Sequence, residues 1–250
     1  MPRLLLCILT LQFALAVAAI AQTDESTEHD PQLCGNLTTA SQCVAENFAF
    51  HHIPLTRDGL MLALHGEDIS LRNLAVYELA EEGEKETIPD LLAVLEAETD
   101  PDERISLADA LAKLGDQSGV PTLEAYCDDK TAPLEARLNA AGRLLRYQPK
   151  SCPKTLLEGL QDDVYRGQAL SMIRRFKELS PTESAQVRVL LLKSLSDRDS
   201  GVRLTAAGVI AELGDASNIP ALEAAIAKEP DPQLRRAMGD YRKALQHKQP

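Results

Sequence analysis

Five segments of this sequence share one spacing: an arginine, then apolar or small residues three, four, seven and ten positions later. From Arg72 these are Ala75, Val76 and Leu79; from Arg104, Leu107, Ala108, Leu111 and Leu114; from Arg137, Ala140, Ala141, Leu144 and Tyr147. Arg166 gives Ala169, Leu170, Ile173 and Phe176, and Arg203 gives Ala206, Ala207, Ile210 and Leu213. The arginines lie 32, 33, 29 and 37 residues apart, and Arg235 follows 32 later. Helical spacing nested in a period in the low thirties means helix pairs that cannot bury their apolar stripes alone and must stack on copies of themselves. The sequence therefore predicts an all-α fold, a right-handed α-solenoid of about five to six helix pairs.

The punctuation marks both helices of each pair. Aspartate stands four residues before most of the arginines (Asp68, Asp100, Asp162, Asp199, Asp231). There it can accept from the free amides of a first helical turn and, at i+4, face the arginine. Gly83, Gly115 and Gly214 fall where the first helix should close in a left-handed residue. Pro89, Pro121 and Pro220 then open the second helix, which buries Leu91 and Leu95, Leu123 and Cys127, Leu156 and Leu160, or Leu222 and Ile226. The fourth unit opens its second helix with Ser180-Pro181-Thr182-Glu183, a capping box. Thr56 to His65 reads as a lone second helix, and Ala40 to Phe48 as a short capping helix.

Val202-Arg203-Leu204-Thr205-Ala206-Ala207 and Glu212-Leu213-Gly214-Asp215 carry a resemblance to the HEAT repeat, closest to the short HEAT-like repeats first described in phycobilisome lyases. It covers roughly residues 56 to 247. The resemblance implies stacked helix pairs whose second helices line a concave face, and says little about function, because this scaffold serves many partners. Deoxyhypusine hydroxylase, an enzyme family on the same repeat, binds iron through His-Glu pairs, and this chain has no His-Glu dipeptide.

Residues 1–21 read as a signal peptide: Arg3, an apolar stretch from Leu4 to Ala16, and small residues Ala19 and Ala21 before Gln22. Residues 22–55 read as a polar lead and capping segment, and 56–250 as the solenoid. The expected destination is the periplasm or the exterior, with no membrane insertion after cleavage. The net charge is −12, and it becomes −13 when the segment containing Arg3 is removed. That balance disfavours nucleic acid and favours a neutral or basic protein or peptide partner.

Four cysteines remain, which allows three connectivities. Cys34 and Cys43, close together in a polar segment, are expected to pair. Cys127 shares a core column with Leu95, Leu160 and Ile226, and Cys152 sits eight helix positions away in the next unit, on the order of 12 Å along the axis. A bridge needs Cα atoms within about 7 Å. Regular stacking thus argues against a Cys127–Cys152 bridge and for a buried free Cys127, and the pairing stays open.

Little here suggests catalysis. The arginine column reads as structural pairing rather than an anion ladder. His51-His52, near His65, is the histidine cluster to weigh as a metal site, but adjacent helical residues point about 100° apart. Ser151-Cys152-Pro153-Lys154 fits S-x-x-K without its partner motifs. No cofactor, metal or catalytic residue is assigned. The expected function is a non-catalytic scaffold for protein–protein interaction. The alternatives are an enzyme or metal-binding accessory factor using the His51/His52 region, and a purely structural spacer. The candidate partner surface is the exposed side of the second helices: Asp90, Ala93, Thr122, Ala125, Thr155, Glu158, Ala221 and Ala224.

Overall fold

A computed structural model describes residues 40–176 and 179–247. By contacts the chain divides into two compact units, Met1–Leu55 and Thr56–Pro250. In the first, α1 spans Ala40–Phe50, and Asn47 donates to the carbonyl of Cys43 at 2.9 Å. Cys43 is disulfide-bonded. Cys34, its expected partner, lies outside the described residues, as does the expected signal segment.

The second unit is an all-α solenoid. It opens with α2 (Arg57–Leu64), capped by the Thr56 hydroxyl, and continues as helix pairs. The first helices are α3 (Ile69–Glu82), α5 (Pro101–Leu114), α7 (Leu134–Leu144), α9 (Arg166–Ile173), α11 (Ser200–Leu213) and α13 (Pro232–His247). The second helices are α4 (Ile88–Ala97), α6 (Gly119–Asp128), α8 (Pro153–Gln161), α10 (Pro181–Ser194) and α12 (Ile219–Lys228). α3 packs on α5 and α5 on α7; α9 packs on α11 and α11 on α13. No strand occurs among the described residues.

The stencil is the core. Ala75, Leu79, Ala108, Leu111, Ala140, Leu144, Ala169, Leu170, Ala206 and Ala207 are all fully buried, as are Leu91, Leu123, Leu156, Leu160 and Leu222 from the second helices. Small residues at three and four let neighbouring helices approach, and leucine or isoleucine at seven fills the space between them. Asp68, Asp100 and Asp199 cap α3, α5 and α11 by accepting from first-turn amides. Ser180 and Glu183 form the expected capping box on α10.

Three expectations need correction, all in or beside the irregularly spaced units. Leu213 is half exposed, at 50%. The chain leaves α11 differently, because Gly214 is extended (φ −81°, ψ 177°), whereas Gly83 and Gly115 close their helices at φ 77° and 85°. Thr155 is buried rather than presented to solvent. Cys127 and Cys152 are bridged, with Cα atoms 6.2 Å apart.

The last two corrections have one cause. The expected 12 Å separation assumed that α8 stacks level with α6. Instead Cys152, left-handed at φ 60°, brings the start of α8 beside the end of α6, where the Thr155 hydroxyl donates to the Cys127 carbonyl at 2.9 Å. Helix α7 is the hinge piece. Ala136, Ala140, Ala141 and Leu144 belong to the core of the preceding units, and Leu138 and Leu145 to that of the following ones.

Candidate functional site

The arginine column proves to be a set of staples between repeats. Each arginine leaves the first turn of its helix and donates to carbonyls at the end of the preceding one or the loop after it. Arg104 reaches Leu95 and Glu98, both at 2.7 Å; Arg166 reaches Leu160 at 3.1 Å; Arg235 reaches Glu229 at 3.0 and 2.8 Å. These carbonyls form the negative end of a helix dipole, where a guanidinium is favoured.

Most also take a carboxylate, and where an aspartate stands four residues earlier it is not the partner, because it accepts from backbone amides just after it. Arg72 pairs with Glu98 at 3.1 Å, and Arg203 grips Glu229 with both arms at 2.7 and 2.9 Å. Arg137 does the same to Glu158 at 2.8 and 2.7 Å, and Arg166 pairs with Asp163 and Asp197. The Arg203 guanidinium holds the Glu229 carboxyl below its usual value, and Arg137 does so for Glu158. Charge-assisted pairs of this geometry fix orientation as well as energy. The column is thus spent on architecture.

On the second-helix face, Ala93, Ala125, Glu158 and Ala224 are exposed, while Asp90, Thr122 and Ala221 are half-buried. Thr155 drops out for the reason above. Glu158 is committed to Arg137, and Asp90 lies 3.6 Å from the His65 imidazole. Ala93 lines a shallow groove of about 330 Å³ with Leu64, His65, Val94 and Ala97, between α2 and α4. Val189, 66% exposed, sits on α10 in another groove with Pro181, Ala185 and Leu190. The sequence reading named no surface residue on α10, where Val187 and Leu191 are buried.

The first-helix face holds what sequence reasoning missed. Asp109 of α5 is buried and accepts from Arg143 at 2.7 Å, Arg146 at 2.8 Å and the Tyr147 hydroxyl at 2.9 Å. Burial and the Asp109 carboxylate push the Tyr147 phenol up to about 12, so it stays a donor. The available signal was a lone aspartate among alanines and leucines of α5, on a helix otherwise charged at its ends.

Among the described residues, no histidine belongs to a cluster of possible metal ligands. His51 makes an edge contact with Phe50, and His52 has φ 56°. Among the described residues, the cluster of possible metal ligands is Cys127, Asp128 and Cys152. Both of its sulfurs are in the disulfide. No helix of the described residues is long and apolar enough to cross a membrane.

Stacked helix pairs stapled by arginine define an α-solenoid of the repeat class. The HEAT repeats family model matches residues 57–145 and 153–240, most of the chain, which belongs to that family. No curated protein matches it.

Proposed function

We propose that this chain is an exported, non-catalytic scaffold that binds a protein partner of neutral or basic net charge along its second helices. The observation that carries the reading is the arginine column. The side chains that looked most able to do chemistry are consumed in joining repeats, and what remains is surface, including the groove at Ala93. Two further observations support export. Cys127 and Cys152 are bridged, and Cys43 is disulfide-bonded, as suits an oxidising compartment. The expected signal segment at residues 1–21 points the same way.

The test is paired capture from the native host with wild type and with Ala93→Glu plus Ala125→Glu. Both alanines are exposed, so the variant keeps its melting temperature and loses the partner that wild type retains. Identical captured sets would remove the second-helix face as the binding surface. No phenotype from either substitution would favour a structural spacer.

A further inference from the structure

The first-helix face carries a cleft made of two continuous parts. One, of about 340 Å³, lies over α3, α5 and α7 and has Val76, Tyr77, Ala80 and Ala110 in its lining. The other, of about 510 Å³, lies between α7 and α9 and is lined, among the described residues, by three arginines and no carboxylate. Arg143 and Arg146 line both. Gly142 and Met172 are both in the lining of the second part. A β-carbon on Gly142 would lie 2.7 Å from the Met172 methyl.

The charge here is opposite to that of the molecule. Among the described residues, Asp109 is the one acid paired with Arg143 and Arg146, and its side chain is 9% exposed against 36% and 49% for theirs. One buried carboxylate therefore orients two guanidiniums that line the cleft, and Arg143 also donates to the Ser106 hydroxyl at 3.3 Å. Arg175 is exposed and has no ion pair among the described residues. The cationic neighbour Lys113 is neutralised by Glu81. The cleft keeps a net positive charge on a chain of net −12.

We propose that this cleft binds a short acidic, partly apolar peptide segment of a protein partner, its carboxylates on Arg143, Arg146 and Arg175 and an apolar side chain against Val76, Tyr77 and Ala80. This rests on the scaffold reading and gives the partner its local chemistry. The cleft passes α3, α5, α7 and α9, and three steps of about 8–10 Å or a little more span roughly the length of eight or nine extended residues. A cleft of that length suits a polymer segment better than a single ion. The acidic stretch is local, because the field of the whole molecule repels a partner that is acidic throughout.

The test is isothermal titration of the full chain with two capped nine-residue peptides, one alternating glutamate and leucine, the other glutamine and leucine. The glutamate peptide binds about tenfold tighter or better, and the difference shrinks as salt rises from roughly 0.05 to 0.5 M. Arg175→Glu, which breaks no ion pair among the described residues, weakens it about fivefold or more at unchanged melting temperature. Tyr77→Glu weakens it as well, and Ala93→Glu plus Ala125→Glu leaves it intact.

Equal binding of the two peptides, or wild-type affinity in both Arg175→Glu and Tyr77→Glu, would overturn the proposal. So would a heparin oligosaccharide binding where neither peptide does. If the peptides fail while the second-helix variant still loses a native partner, the cleft proposal falls and the scaffold reading stands.

Discussion

The two stretches matched as HEAT repeats, 57–145 and 153–240, are built from the same parts but joined by different means. In the first, arginines recur at 32 and 33 residues, α3 and α5 each run 14 residues, and left-handed glycines close both. Between the stretches the spacing is 29, within the second it is 37 and then 32, and α9 is cut to eight residues. There Asp162 caps the turn at Val164 and Tyr165 instead of starting a long helix. Even periods stack level, so small residues and staples suffice. Where the period breaks, the stack steps, and covalent closure between Cys127 and Cys152 takes over. A repeat protein can thus absorb an irregular unit if something holds the step.

The largest predicted effect tests the core register in the even stretch against the uneven one. Leu111, seven residues after its arginine, is fully buried and Leu114, ten after, is buried too, whereas Leu213, ten after Arg203, is half exposed. Leu111→Asp loses apolar burial of about 1.5–3 kcal/mol and also buries a charge, for a total of roughly 4 kcal/mol or more. Leu213→Asp changes stability by about 0.5 kcal/mol or less. Urea unfolding of both variants measures the contrast, and equal losses would mean that the two stretches do not differ as described.

Next is the step itself. Replacing Cys127 and Cys152 by alanine opens a loop of 25 residues, worth about 3.5 kcal/mol in the chain-entropy account. The two stretches should then part company. Thermal unfolding of the variant is expected to split into two transitions, with 57–145 and 153–240 melting separately, while the bridged chain melts once. A single unshifted transition would show that packing through α7 already carries the joint.

The same contrast explains how much was legible beforehand. Helix identity, caps and core columns depend on neighbours within four residues, and the sequence displays those directly. The partners of the arginines lie elsewhere: Glu98 and Glu229 stand 26 residues beyond Arg72 and Arg203, a separation no local pattern encodes. Aspartate at i−4 was the nearer candidate and lost, because the helix amides claim it first. The bridge was hidden because it depends on the axial offset of α8, set by one left-handed residue at Cys152. Asp109 was hidden because a buried acid is stable only with its cations, and Arg143 and Arg146 arrive from a different repeat.

The staples give a third effect, similar in the two stretches. Glu229 is buried beneath Arg203, with 1% of its side chain exposed. Arg203→Met leaves that carboxylate unpaired and costs about 3 kcal/mol, as does removal of one partner from other buried pairs. The pH dependence follows from the sign of the shifts. Glu98, Glu158 and Glu229 all have folded pKa values below the ordinary 4.5. Their stabilisation is complete above that value and is lost as pH falls through the lower folded values. Acid unfolding followed by circular dichroism should therefore begin below about 4.5 in wild type. Arg203→Met, whose Glu229 no longer gains from ionising, should show a shallower dependence, and an unchanged slope would argue against the staple.

The smallest effect separates two kinds of glycine that look alike in the sequence. Gly83 and Gly115 have φ of 77° and 85° with nothing near a prospective β-carbon, so alanine there meets only backbone strain, about 1 kcal/mol each. Gly214 has an ordinary extended backbone, yet a β-carbon would sit 2.4 Å from the Ile210 carbonyl oxygen. Backbone cannot yield as a flexible side chain does, so the end of α11 must shift, at a cost somewhat above that of the other two. Asparagine, which tolerates the left-handed region, should recover part of the loss at Gly83 and Gly115 and none at Gly214. Rescue at all three positions would put Gly214 in the left-handed conformation and return the 57–145 and 153–240 stretches to a single rule for ending a first helix.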